Sequence, residues 1–297
     1  MSYNSIVLVK QVPDTRNITG EVMTKDGTMN RSALPAIFNP EDLNALEMAL
    51  QARDQFGGKV TVISMGPPQA AAILREALFR GADQVVLLTD RKFAGADTQA
   101  TSYALKYAVE KTGNFDLIFC GRQAIDGDTA QVGPQVAEKL NIPQITYAEE
   151  IMSIEDGEIV VQRALDAGTE IVKCALPCLL TVVGSANQPR PSSARRRIEF
   201  KLAAIPAEYA ALIKTWPEFE NEQVFEKYLE ERGLKIQVWT AADLTLDEAH
   251  IGLAGSPTQV HKVNFVVLEA AESKEVPPTE DGIKALIEDL IREYVVG

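Results

Sequence analysis

From its start to about residue 150 the chain alternates short apolar runs with amphipathic stretches. The runs at 6–9, 60–63, 85–88 and 117–120 have the length and the Val/Ile/Leu content of buried strands. Residues 41–50, 69–81 and 98–111, which separate them, carry apolar side chains at helical spacing. Glu41 and Asp42 suit a helix N-terminus, and Gly57-Gly58 stops the first of these helices. Parallel neighbours in a sheet need a crossover, and one helix between each pair of strands supplies it. The pattern therefore predicts an α/β protein with a doubly wound, mostly parallel sheet.

Beyond residue 150 the rhythm changes. Residues 159–163 and 169–173 read as two strands around the turn-forming Asp166-Ala167-Gly168, and 178–183 as a buried strand, which adds an antiparallel extension. After Pro189-Arg190-Pro191 comes a basic cluster, Arg195-Arg196-Arg197, then a charged, helix-like stretch at 218–232. Its neighbourhood holds Trp216, Phe219, Phe225 and Tyr228, which suit either a small local core or a contact surface. From about Asp243 a Gly-, Ser- and Pro-containing segment leads to a final helix at 280–294. These shifts divide the chain into a core at 1–190, a docking loop with a charged helical segment at 191–242, and a C-terminal arm at 243–297. So long an irregular tail is hard to bury in one α/β domain, and it is expected to pack on another chain; an ordinary extra lobe is the alternative.

Composition narrows the partners. The 297 residues carry a formal net charge of -13, so phosphate-rich surfaces are repelled over most of the molecule and nucleic acid is not the expected partner. No apolar run is long enough for membrane insertion. The start, Met1-Ser2-Tyr3-Asn4, lacks the regions of a signal peptide, and the odd count of three cysteines, Cys120, Cys174 and Cys178, fits reduced thiols; both predict a cytoplasmic protein. Cys174 and Cys178 read as strand core. With two histidines, His250 and His261, a histidine-rich metal centre is excluded.

In an open parallel sheet, ligands bind beyond the carboxyl ends of the strands. Three such ends carry unusual residues: Val9-Lys10-Gln11-Val12-Pro13-Asp14, Ser64-Met65-Gly66-Pro67-Pro68, and the segment from Gly121 to Pro134. In the last, Gly121 lets the chain leave its strand, Gly127 is expected to take a positive φ, and Asp128 or Thr129 to cap a helix beginning near Ala130. Successive N–H groups of such a turn, with the helix N-terminus, make a phosphate or pyrophosphate site, to which Thr129 and Gln131 add side-chain donors. Asp126 and Asp128 would repel phosphate and are expected to accept from backbone N–H groups or ribose hydroxyls. A capped turn without a ligand is the competing reading. No Walker loop, Gly-x-Gly-x-x-Gly fingerprint, nucleophile elbow or zinc-protease motif is present, so the chain offers binding groups without an evident catalyst.

Several stretches together resemble electron transfer flavoprotein beta subunits: residues 9–14, Asn39-Pro40-Glu41-Asp42, Gly81-Ala82-Asp83, residues 121–129, and Gly252-Leu253-Ala254-Gly255-Ser256-Pro257-Thr258. The resemblance implies an adenine-nucleotide-binding α/β subunit that pairs with an FAD-carrying alpha subunit. By matching position, cofactor contacts would come from Leu8, Lys10, Asn39, Met65 and Thr98, and from Gly121, Arg122, Gln123, Ala124, Ile125, Asp126, Gly127, Asp128, Thr129, Ala130, Gln131 and Val132. Two branches of the family differ in the ligand: AMP with a structural role, or a second FAD that receives hydride from NADH and splits the electron pair. The loop Asp126-Gly127-Asp128-Thr129 is similar to the second branch, so FAD is expected in preference to AMP, with Arg122 as the catalytic cation beside the flavin ring. The further partners implied are an acyl-CoA dehydrogenase or other flavin dehydrogenase, and ferredoxin or flavodoxin. Residues 190–200 depart from the family's partner-docking loop, which has a leucine before a Lys-rich run. A nucleotide-sensing module with no redox task is the reading from outside this class.

Overall fold

The computed structural model describes residues 2–14, 35–258, 275–293 and 295. In chain order its strands and helices are β1 (Ser5–Val9), β2 (Gln11–Pro13), β3 (Ala36–Phe38), α1 (Pro40–Phe56), β4 (Val60–Met65), α2 (Ala71–Arg80), β5 (Gln84–Leu88), α3 (Thr98–Thr112), β6 (Leu117–Gly121), α4 (Val132–Leu140), β7 (Gln144–Glu155), β8 (Glu158–Leu165), β9 (Gly168–Ala175), β10 (Cys178–Val182), α5 (Ala194–Glu199), α6 (Tyr209–Thr215), α7 (Glu222–Glu231), β11 (Gln237–Trp239) and α8 (Glu280–Arg292). Among the described residues nine strands form one sheet in the order β11-β5-β4-β1-β6-β10-β7-β8-β9. From β11 to β7 all neighbours are parallel, and β7, β8 and β9 are antiparallel; the β8–β9 hairpin lies at the turn predicted at 166–168, while β7 was not read from the sequence.

Alternation along each strand sends side chains to two cores. Val7 and Val9 of β1 pack with α1 and α2, while Ile6 and Leu8 pack with α3 and α4. Both faces are thus covered, which is why the parallel strands are apolar throughout. Each fully buried Leu, Ile or Phe, such as Leu46, Ile118 or Phe119, stabilises the fold by roughly 1.5–3 kcal/mol. Because β4 lies on one side of β1 and β6 on the other, the winding reverses at β1, and the loops after β1 and β6 part there.

The segment after residue 200 forms a core of its own. Phe225 and Leu229 are fully buried with Leu202, Tyr209 and Leu234, and Phe219 stacks edge-on against Phe225 and Tyr228. Of the two readings of these aromatics, the small local core is present: Phe225 is fully buried, and Trp216, Phe219 and Tyr228 pack half-buried around it. The basic cluster is also partly structural. Arg190 pairs with Glu47 and Asp54, and Arg196 donates to the carbonyls of Leu78 and Ala82, satisfying the C-terminal end of α2. Burial lowers the Arg196 pKa. Cys178 lies in β10 and is buried, but Cys174 ends β9 and is half-exposed.

The chain divides into a unit at 1–261 and a second at 262–297. Within the second, α8 is capped by the Thr279 hydroxyl, and Ile283, Ile287 and Ile291 stand exposed four residues apart on one face. Position 294, included in the predicted final helix, lies outside the described residues. No helix among the described residues is long and apolar enough to cross a membrane.

Candidate functional site

The three strand ends singled out in the sequence lie side by side, because β4, β1 and β6 are neighbours. Leu8 is buried under the site, Lys10 follows β1, Met65 ends β4, and Gly121 ends β6. Thr98 opens α3, whose N-cap is Asp97. All the predicted contact residues therefore fall at the carboxyl edge of the sheet around the switch point.

What binds the loop to this edge is the first turn of α1. Asp42 is buried and its two carboxylate oxygens accept from the backbone N–H groups of Lys10 (2.8 Å) and Gly121 (2.9 Å), one from each parting strand. Burial pushes the Asp42 carboxyl up to about 7, against the opposing pull of these N–H groups, the Asn39 amide and the Lys10 charge. Glu41 accepts from the Gln123 N–H at 3.0 Å and pairs with Arg122, Nη2 to Oε1 at 3.0 Å. That pairing is the main reason the Arg122 pKa is raised. Asn39, fully buried, donates to the Gln123 carbonyl and accepts from the Ile125 N–H. Glu41 and Asp42 read in the sequence as a helix start and as part of a stretch shared with the family, not as anchors of the loop. An acidic pair at a helix N-terminus facing a sheet edge is the signal that bears on their second role.

The loop itself departs from expectation in three respects. The positive φ falls on Asp128 (49°) and Ala130 (53°), not on Gly127. The helix begins at Val132, with Gln131 at the N-cap and no side-chain cap, so neither Asp128 nor Thr129 caps it. Asp126 and Asp128 take side-chain donors: Lys10 Nζ lies 2.8 Å from both oxygens of Asp126, and Gln123 Nε2 donates to Asp128. The physical reason is shared. The Gly127 and Asp128 N–H groups close a turn on the Ala124 carbonyl, which spends the first half of the loop internally and delays the helix by two residues.

The second half is unspent. The N–H groups of Thr129, Ala130, Gln131, Val132 and Gly133 donate to no acceptor among the described residues. With the N-terminus of α4 behind them and left-handed residues at 128 and 130, they form a fan of unpaired donors of the kind that suits a phosphate group. The Thr98 hydroxyl donates to Gln131 Oε1 at 2.8 Å, which leaves the Gln131 amide nitrogen to face a ligand. Both cations of the edge are held by carboxylates, Lys10 by Asp126 and Arg122 by Glu41, so recognition of an anion rests first on the backbone fan. At Gly133 a Cβ would lie 2.6 Å from Cys120 Sγ and 2.9 Å from Thr181 Cγ2, so a larger residue would force these buried side chains to move, and this close approach seats α4 on the sheet.

Ala130→Gly should raise stability by about 1 kcal/mol, since an alanine in the left-handed region carries a penalty that glycine does not. Thermal unfolding of the two forms checks this, and a lower Tm for the glycine variant contradicts it.

Residues 26–213 match the electron transfer flavoprotein domain. An electron transfer flavoprotein subunit beta of Thermoanaerobacterium thermosaccharolyticum is 43% identical over 293 residues, covering 99% of this chain and 100% of the relative. The caffeyl-CoA reductase-Etf complex subunit CarD of Acetobacterium woodii is 42% identical over 258 residues, 86% of either chain. The acryloyl-CoA reductase electron transfer subunit gamma of Anaerotignum propionicum is 39% identical over 296 residues, 98% of both.

Proposed function

The chain belongs to the electron transfer flavoprotein family, and from that premise we propose that it is a beta subunit which holds FAD at the sheet-end site and takes electrons from NADH. Membership of a redox family sets aside the reading as a nucleotide sensor without a redox task. Beta subunits of this family act in electron transfer together with an alpha subunit.

The donor set fits a dinucleotide. Five consecutive N–H groups over two left-handed residues run along enough chain to reach two adjoining phosphates, and this fan is the observation that supports FAD over AMP. Thr129 to Gly133 would hold the pyrophosphate. Gln131, set by Thr98, would donate from its amide, while Asn39 keeps the loop at 123–125 in place. Lys10 would exchange Asp126 for a phosphate oxygen. Arg122, oriented by Glu41, would face the ring system and favour its anionic reduced form by charge. FAD, when bound, would supply the acceptance of hydride from NADH and the release of electrons one at a time. In this reading the subunit would hand one electron to the FAD-carrying alpha subunit and the other to a low-potential carrier such as ferredoxin or flavodoxin. The names of two relatives, subunits of caffeyl-CoA and acryloyl-CoA reductase systems, support association with a flavin dehydrogenase acting on an acyl-CoA. The expected setting is the cytoplasm.

A second reading places AMP in the same site. The three oxygens of a single terminal phosphate can also take up a run of five N–H donors, and the subunit would then pass on electrons from an acyl-CoA dehydrogenase without splitting them. Acid release of the nucleotides from the purified heterodimer decides between the two. Two FAD per heterodimer are expected, and one FAD with one AMP overturns the FAD reading.

A further inference from the structure

Tyr147 holds a conformation that its place in a strand does not explain. It lies within β7 at φ 59°, a region that bulky residues seldom enter. In an unbroken strand Tyr147 would share a face with Ile145 and enter the core. Instead Ile145 and Ala148, three residues apart, both pack into the core on the α1 side, and the pairing register of β7 with β10 shifts between them. The bulge turns the Tyr147 ring out of the core, leaving it 40% exposed.

The direction in which it emerges bears on the site. Val182 pairs with both Gly121 and Ala148, so Tyr147 sits level with the end of β6, at the carboxyl edge of the sheet. The Arg122 guanidinium carbon is 5.8 Å from the centroid of the Tyr147 ring, within cation–π range, while Glu41 holds the same guanidinium by two nitrogens. The unfavourable backbone is fixed from both sides. The Tyr147 N–H donates to the buried Thr181 hydroxyl, and Arg163 donates to the carbonyl and the hydroxyl of Thr146. A strained residue so firmly held beside a ligand site is the arrangement expected where strain serves function.

The geometry points to Tyr147 as a positioning residue of the sheet-end site: with Glu41 it clamps the Arg122 guanidinium in one plane, and so fixes the cation that faces the flavin ring. This rests on the FAD reading above. Glu41 fixes the position of the guanidinium through two hydrogen bonds, and the ring restrains its tilt.

The test uses the heterodimer with its alpha subunit and the variants Tyr147→Gly and Tyr147→Phe, each also in an Arg122→Ala background. Glycine relieves the positive φ, so the Tyr147→Gly form should fold with a Tm at or above that of the parent. Its beta-site FAD should nonetheless bind about tenfold more weakly, and its visible circular dichroism and midpoint potential should shift toward those of Arg122→Ala. Tyr147→Phe keeps the ring and should stay near the parent. In the Arg122→Ala background neither Tyr147 variant should add a further change, because Tyr147 acts through Arg122. Parent-like affinity and potential in Tyr147→Gly, or effects that add to those of Arg122→Ala, would overturn the inference while the FAD reading stands. A parent heterodimer that holds AMP overturns both.

Discussion

Replacing Gly121 with alanine should destabilise the chain by about 3 kcal/mol or more and abolish nucleotide retention. A Cβ at this position would stand 2.5 Å from Asp42 Oδ1, 2.7 Å from the Glu41 carbonyl carbon and 2.8 Å from the Asp42 nitrogen. Two of these neighbours are backbone of the first turn of α1, which cannot swing aside as a side chain can. Relief requires α1 to withdraw from β6, and withdrawal breaks the hydrogen bond from the Gly121 N–H to Asp42. Packing and the loop anchor therefore fail together. Urea unfolding measures the first effect, and the nucleotide content of the purified heterodimer the second; a variant with parental stability would show that α1 shifts without cost.

The second large effect is expected at Asp42. Asparagine has the same shape, but its amide nitrogen cannot accept, so one of the N–H groups of Lys10 and Gly121 would face another donor in a buried place. Asp42→Asn should cost about 2–3 kcal/mol and loosen the grip on the loop. Its pH dependence distinguishes this from a general packing defect. The Asp42 carboxyl is raised to about 7 in the folded chain by burial, well above its ordinary value of 3.8. The folded state thus binds the proton more tightly than the unfolded state. The resulting stability is fully present below about 3.8 and is lost as pH rises through about 7. The advantage of the parent over the asparagine variant should therefore shrink as pH is raised from about 5 to about 8. An advantage that stays constant over this interval would mean that the two N–H donors outweigh burial and the carboxylate stays charged.

Both effects arise at a point where the sequence gives only part of the account. The apolar runs at 6–9, 60–63, 85–88 and 117–120 appear as β1, β4, β5 and β6, because strands covered on both faces must be apolar along their whole length. The glycine at 121 and the loop after it mark the carboxyl edge of the sheet for the same kind of local reason: a chain leaving a strand close to other backbone has no room for a side chain. The loop conformation was not legible, since the left-handed residues turned out to be Asp128 and Ala130 where composition favours Gly127. Their φ values follow from a turn closed on Ala124 and from α4 being pressed against β6 and β10 at Gly133.

The sequence by itself marked β1, β4, β5 and β6 with the helices between them, the strands β8, β9 and β10, and the sheet edge proposed for a nucleotide, because apolar periodicity and turn chemistry act over a few residues; the short strands β2, β3 and β11 and the long β7 were not read from it. Only the tertiary structure decided which charges remain available at that edge. Glu41 and Asp42 lie about eighty residues from Gly121 and Arg122 in the chain and meet them through the crossing of α1 over β6. Tyr147 comes to Arg122 only because the bulge in β7 turns its ring outward and β10 places that bulge level with β6. Contacts between elements distant in sequence depend on sheet order and register, and neither is written in local hydrophobic pattern.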